Sequence, residues 1–192
     1  LPGRANRYFR NVGAGQFVDA TEEAGLTDPG TSYSFGVLAA DLDRDLDLDL
    51  YVANDSNPNF LFRNAGSGLF HEMGMSAGAA LSATGEAQAG MGVAAGDVDD
   101  DGHVDLFVTN FENDTCTLYR SRGDLRYASV SAQAGLVGPT TPHLSWGTLL
   151  GDYDLDGDLD LFIANGHIFP QADAVVGRRF GFREPNLLLE NE

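Results

Sequence analysis

Three stretches of this chain place aspartates at alternating positions: Asp41, Asp43, Asp45, Asp47 and Asp49; Asp97, Asp99, Asp101 and Asp105; and Asp152, Asp154, Asp156, Asp158 and Asp160. A tightly turned backbone points every second side chain at one centre, and six to eight oxygen donors around one centre are what calcium takes. In the second and third stretches Gly102 and Gly157 fill the sixth position, where such a loop turns sharply. The seventh position, His103 and Asp158, would offer its backbone carbonyl, so the His103 side chain is not needed there. The ninth supplies a further carboxylate. In the first stretch Leu46 replaces the turn glycine. If that position takes a positive φ, a leucine costs about 1 kcal/mol or more, which makes this the weaker loop. The candidate ligands are thus all the residues named, for two to three Ca2+ ions.

An EF-hand is the nearest rival, but it needs a bidentate glutamate at position twelve. Val52, Val108 and Ile163 stand there, each inside an apolar run, so each loop joins two strands instead. A merely solvated acidic face would not keep one alternating register three times. Fifteen of the twenty-one aspartates lie in these windows, and the formal charge of −18 points to bound cations. With 11 Lys and Arg, nucleic acid is not expected as a partner. No apolar run approaches the roughly 18 residues of a spanning helix. Cys116 is the single cysteine, so no disulfide forms within the chain. Gly13-Ala14-Gly15 and Gly66-Ser67-Gly68 lie between strands and read as hairpin turns, not phosphate cradles. His167, in Asn165-Gly166-His167, has no nucleophile or second histidine beside it in the sequence and reads as part of a turn; no catalytic residue is assigned.

The loops must be held by strands, and the strands repeat. Phe35-Gly36-Val37-Leu38-Ala39-Ala40-Asp41, Met91-Gly92-Val93-Ala94-Ala95-Gly96-Asp97 and Trp146-Gly147-Thr148-Leu149-Leu150-Gly151-Asp152 align without gaps, the first loop aspartates being 56 and then 55 residues apart. Each loop runs into an apolar strand (50–54, 106–110, 161–165). A second phase lies between them: 6–11, 59–64, 116–121 and 186–191, the first three carrying Arg10, Arg63 and Arg120 and followed by Phe17, Phe70 or Tyr127. About four strands per repeat is the pattern of a β-propeller blade, and a ring protects sheet edges that a flat stack would expose. The expectation is an all-β fold, one propeller segment over 1–192: the end of a preceding blade (1–31), blades at 32–86 and 87–138, and an incomplete blade at 139–192. Trp146, Phe35 and Met91 share one repeat position and are expected to pack in the core. Gly36, Gly92 and Gly147 should mark a bulge or a close backbone approach.

The Phe-Gly…Asp-x-Asp-x-Asp-Gly-x-x-Asp units resemble FG-GAP/VCBS repeats, the calcium-loop blades also found in integrin α-subunit propellers. The stretch Asp160–Gln171, with Asn165-Gly166-His167-Ile168-Phe169-Pro170, and then Arg183-Glu184-Pro185-Asn186-Leu187-Leu188, is similar to proteins of the ASPIC/UnbV, cartilage acidic protein-like type. The resemblance implies a secreted, surface or periplasmic propeller of about seven blades, preceding a separate C-terminal domain, with the loop aspartates as calcium ligands. Family membership says little about partners; the first reading is a non-enzymatic module for binding or adhesion to a protein or glycan, the propeller domain of a carbohydrate-active enzyme such as a polysaccharide lyase is the alternative, and a carbohydrate-binding module a third reading. Leu46 departs from the family pattern. Only about three blades fall within the chain, so it is expected to be part of a longer propeller and to self-associate through open strand edges.

Overall fold

The computed structural model describes residues 3–28, 30–175, 177 and 179–191. The strands follow the apolar runs, and they group as four antiparallel sheets. A hairpin comes first, β1 (Phe9–Gly13) with β2 (Gln16–Asp19). Two four-stranded sheets follow in simple meander order. One is β3 (Tyr33–Ala40), β4 (Asp49–Asp55), β5 (Phe60–Asn64) and β6 (Phe70–Glu72); the other is β7 (Gly90–Gly96), β8 (Asp105–Asn110), β9 (Thr117–Ser121) and β10 (Tyr127–Ser129). A three-stranded sheet of β11 (Ser145–Gly151), β12 (Asp160–Asn165) and β13 (Leu187–Leu189) completes the described chain. Helix is limited to the single turns α1 (Gly74–Ala77) and α2 (Val137–Thr140) in the connections and a 3₁₀ turn at Pro170–Ala174. No helix among the described residues is long and apolar enough to cross a membrane.

The same strand of each sheet packs on the same strand of the next, β3 on β7 and β7 on β11. Sheets stacked through equivalent first strands are the blades of a β-propeller, with those strands innermost. The aligned glycines make this approach possible. A methyl on Gly36 would lie 2.5 Å from the Met91 carbonyl, and one on Gly92 would come closer still to the carbonyl of Trp146. Each glycine also sits at a register break in its strand pair, between Ser34 and Gly36 and between Gly90 and Val93, so bulge and close approach are both present. Thr109 fixes the second contact: its hydroxyl accepts the Gly92 N–H at 2.7 Å and reaches the Trp146 carbonyl.

The core lies between blades, as alternating strands with two apolar faces require. Tyr51, Ala53 and Leu61 of one blade meet Leu106, Val108 and Tyr119 of the next. Burial of the two tyrosines is completed by hydrogen bonds, Tyr51 Oη to the Ala79 carbonyl at 2.6 Å and Tyr119 Oη to that of Leu81 at 3.0 Å. Phe107, Cys116 and Leu118 pack in turn on Leu161 and Ile163. The shared position of Phe35, Met91 and Trp146 divides. Met91 is buried, whereas Phe35 is 58% exposed and meets Trp146 edge-on, with ring centroids 6.5 Å apart. An innermost strand has few neighbours on the side facing the axis, so the Phe35 ring stays half-exposed, while Trp146 Nε1 donates to the Gly166 carbonyl at 2.7 Å.

Candidate metal centre

All three loops are anchored in one register. The residue before the first loop aspartate pairs with the ninth-position aspartate: Ala40 with Asp49, Gly96 with Asp105, Gly151 with Asp160. Each ninth-position carboxylate closes its loop from below. One oxygen accepts the N–H of loop position two (Leu42, Val98, Tyr153) at 2.9–3.1 Å. The other accepts an N–H from the third strand or the residues that continue it (Asn64, Ser121, Asn191) at 2.7–3.0 Å. These aspartates are buried, at most 1% exposed. Burial disfavours the charged form: it pushes Asp49 up to about 6 and raises Asp105 as well. Asp160 is instead held below the usual carboxylate range, chiefly by the N–H groups of Asn191 and Tyr153.

The first-position carboxylate folds the loop around itself. Asp41, Asp97 and Asp152 each accept the N–H of position five through one oxygen, at 3.1–3.2 Å, and that of position six through the other, at 2.8–3.1 Å. Position five then accepts the N–H of position seven: Asp45 from Asp47, Asp101 from His103, Asp156 from Asp158, at 2.8–3.0 Å. Position six has φ of 75° at Leu46, 84° at Gly102 and 107° at Gly157, so the leucine does occupy a left-handed turn. Position four is left-handed too, at Arg44, Asp100 and Leu155, although none of the three is a glycine.

The fold brings Asp41, Asp43 and Asp45 together with one ligand oxygen each, all within 4.8 Å of one another, and does the same for Asp97, Asp99 and Asp101. In the third loop the converging set is Asp152, Asp154 and Asp160. Asp47, Asp49, His103, Asp105, Asp156 and Asp158 lie in the loops but outside these oxygen clusters. Asp43 carries the most telling atom: its side chain is 8% exposed, yet Oδ1 is buried without a hydrogen-bond partner. A buried anionic oxygen left unpaired is costly, and a cation between the three carboxylates would pair it. Every converging donor is a carboxylate oxygen, which suits a hard divalent ion such as calcium and not the nitrogen and sulfur ligands that zinc prefers.

Sequence reading noted the recurrent arginines but assigned them no partners. Arg63 Nε bonds Asp43 Oδ2 at 2.8 Å with its Nη2 3.5 Å from Asp45, and Arg120 Nε bonds Asp99 Oδ2 at 2.9 Å. Arg10, at the matching position of the first hairpin, pairs with Glu23 instead. The loops are also tied to neighbouring blades: Arg44 donates to the Gly102 carbonyl at 3.0 Å, and Asn191 to that of Val98 at 2.9 Å. His167 lies at the far end of β12. Its ring is buried against Phe111 and Phe169, Nδ1 accepts the Phe169 N–H at 3.0 Å, and Nε2 is 3.7 Å from Glu112.

Stacked antiparallel blades with an acidic loop between the first two strands of each define a class, the β-propeller built from acidic-loop repeats. Comparison with known families agrees, and this chain belongs to the FG-GAP-like repeat family, whose model matches residues 2–52, 42–108 and 97–163. Cartilage acidic protein 1 of Xenopus tropicalis is 31% identical over 137 residues, 68% of this chain and 20% of the relative. The mouse (Mus musculus) and human (Homo sapiens) proteins of the same name are 28% identical over 190 residues, 92% of this chain. These matches support the likeness to the ASPIC/UnbV type. The chain spans 20–27% of the length of these relatives.

Proposed function

We propose that the chain is a calcium-stiffened part of an extracellular propeller that binds a protein or glycan partner and catalyses no reaction. The calcium reading rests on one observation above the others, the thrice-repeated convergence of carboxylates that includes the buried, unpaired Oδ1 of Asp43. Without a cation the clustered charges of each loop repel one another. With one, the loop joins the first two strands of its blade through a single charged centre, and neighbouring blades gain a rigid end. Cartilage acidic protein 1 is named for cartilage, which favours an extracellular setting for the similar chain. Such a setting supplies calcium at levels that sites of modest affinity can use.

At ten times Kd each site would add about 1.4 kcal/mol to stability. Three filled sites then raise Tm by on the order of 10 °C for a chain of this size. Calcium removal should lower Tm by that amount and added calcium should restore it. Asp97→Ala or Asp152→Ala should reduce bound calcium by one ion in calorimetry. A melting curve that ignores calcium would sink this reading.

A further inference from the structure

The three repeats place different charges against the same loop position. Strand register makes the comparison strict. Leu50 pairs with Phe62, Leu106 with Tyr119 and Leu161 with Leu189, so the next residues, Arg63, Arg120 and Glu190, are equivalent. The residue after each, Asn64, Ser121 or Asn191, donates its N–H to the ninth-position aspartate, which confirms the alignment. In the first two loops the guanidinium holds the third-position carboxylate, Asp43 or Asp99. In the third loop the equivalent residue is acidic, and no arginine pairs with Asp154 among the described residues. There the Oδ1 of Asp154 takes only the N–H of Asp156, at 3.3 Å. The Arg63 contact leaves one oxygen of the buried Asp43 carboxylate unpaired, so the site still presents an atom that demands a cation.

Resting on the calcium reading, we propose that this strand residue sets the affinity of each loop. Arg63 and Arg120 are built-in counter-ions that compete with a divalent cation for Asp43 and Asp99, and Glu190 leaves the third loop the tightest of the three. A fixed positive charge bonded to a ligand carboxylate opposes an arriving divalent ion by direct repulsion and by sharing the carboxylate's charge. Near a solvated surface, removing one such charge amounts to about a threefold to tenfold change in affinity, smaller as salt rises. Loops of one chain would then fill in sequence as calcium rises, and the propeller would stiffen from its third loop first.

The test is calorimetric titration with CaCl2, one loop at a time, in full-length chains where the first-position aspartates of the other two loops are replaced by alanine. Arg63→Gln in the first loop and Arg120→Gln in the second should each tighten calcium binding about threefold to tenfold. Glu190→Arg should weaken the third loop by a similar factor, and the unaltered third loop should bind more tightly than either of the others. All three residues are solvent-facing, and circular dichroism checks that each variant is folded. Affinities unchanged or weakened by removing the arginines would overturn the proposal and make them positioning residues that hold the carboxylates ready. Absence of calcium binding in all three single-loop chains would overturn the calcium reading itself.

Discussion

Leu46 holds a φ of 75° in the turn where the other loops have glycine, and it is 91% exposed. A left-handed residue with a Cβ is strained by about 1–2 kcal/mol, and no packing is lost when so exposed a side chain is removed. Leu46→Gly should therefore stabilise the calcium-loaded protein by about 0.5–1 kcal/mol, the extra freedom of glycine in the unfolded chain offsetting part of the gain. It should also tighten the first loop; urea unfolding and calorimetry read the two effects, and a loss in both would mean the leucine is unstrained. This strain was legible because glycine at two equivalent positions shows what the third should be. The left-handed Arg44, Asp100 and Leu155 gave no such signal, since no copy carries a glycine there. Alternation likewise marked the carboxylates as candidates without separating their work. Asp49 and Asp105 read as further ligands, yet each spends both oxygens on backbone N–H groups. The partners of Arg63 and Arg120 were invisible for another reason, because a strand arginine has the same sequence signature whether it is solvated or paired.

Four strands per repeat followed from the run lengths and turn residues, and β3–β6 and β7–β10 have that form. The connection between β12 and β13 did not. In the earlier blades the matching link is a few residues, whereas here residues 166–186 carry a 3₁₀ turn and bury Glu184, whose Oε2 accepts the Leu144 N–H at 2.8 Å and lies 3.5 Å from Nδ1 of the buried His143. Nothing in apolar periodicity reveals a buried carboxylate within such a connection. The glycine of each innermost strand, by contrast, was readable as a contact point, and its consequence can be measured. Gly36 and Gly92 face a carbonyl of the next blade, while the equivalent Gly147 has nothing within 4 Å of an added methyl. None of these three has a positive φ, so alanine would be penalised by contact alone. Gly36→Ala and Gly92→Ala should each cost about 1–3 kcal/mol, since a backbone carbonyl cannot swing aside as a side chain can. Gly147→Ala should stay within about 0.5 kcal/mol. Urea midpoints of the three variants decide it, and equal costs would show that the glycines serve strand geometry and not blade stacking.

Across the whole molecule the repeat gathers its charge. Each acidic loop joins the innermost strand of a blade to the next, and the contacts of Arg44 with Gly102 and of Asn191 with Val98 link adjacent blades at their loops. Much of the net charge of −18 is thus concentrated in neighbouring turns, where self-repulsion opposes folding unless cations offset it. The buried ninth-position aspartates turn this into a pH dependence. Asp49 is pushed up to about 6 and Asp105 is raised in the same direction, burial being the main cause in both. A folded-state pKa above the unfolded value means that the folded protein binds these protons more tightly. Their contribution in the calcium-free protein is therefore favourable at low pH and declines as pH rises from about 4 through 6. A divalent ion beside them favours the ionised form and removes that decline. Groups remote from the loops, such as Asp19, whose pKa is lowered to about 2 by hydrogen bonds from Thr21 and Arg7, contribute equally with and without calcium. The quantity to measure is accordingly a difference, unfolding free energy in saturating calcium minus that of the calcium-depleted protein, taken from urea titrations at several pH values. It should be smallest at pH 4.5 and widen as pH rises, with most of the change below about pH 6 and little beyond it. A difference that stays constant across that range would mean that the loop carboxylates do not exchange protons for calcium.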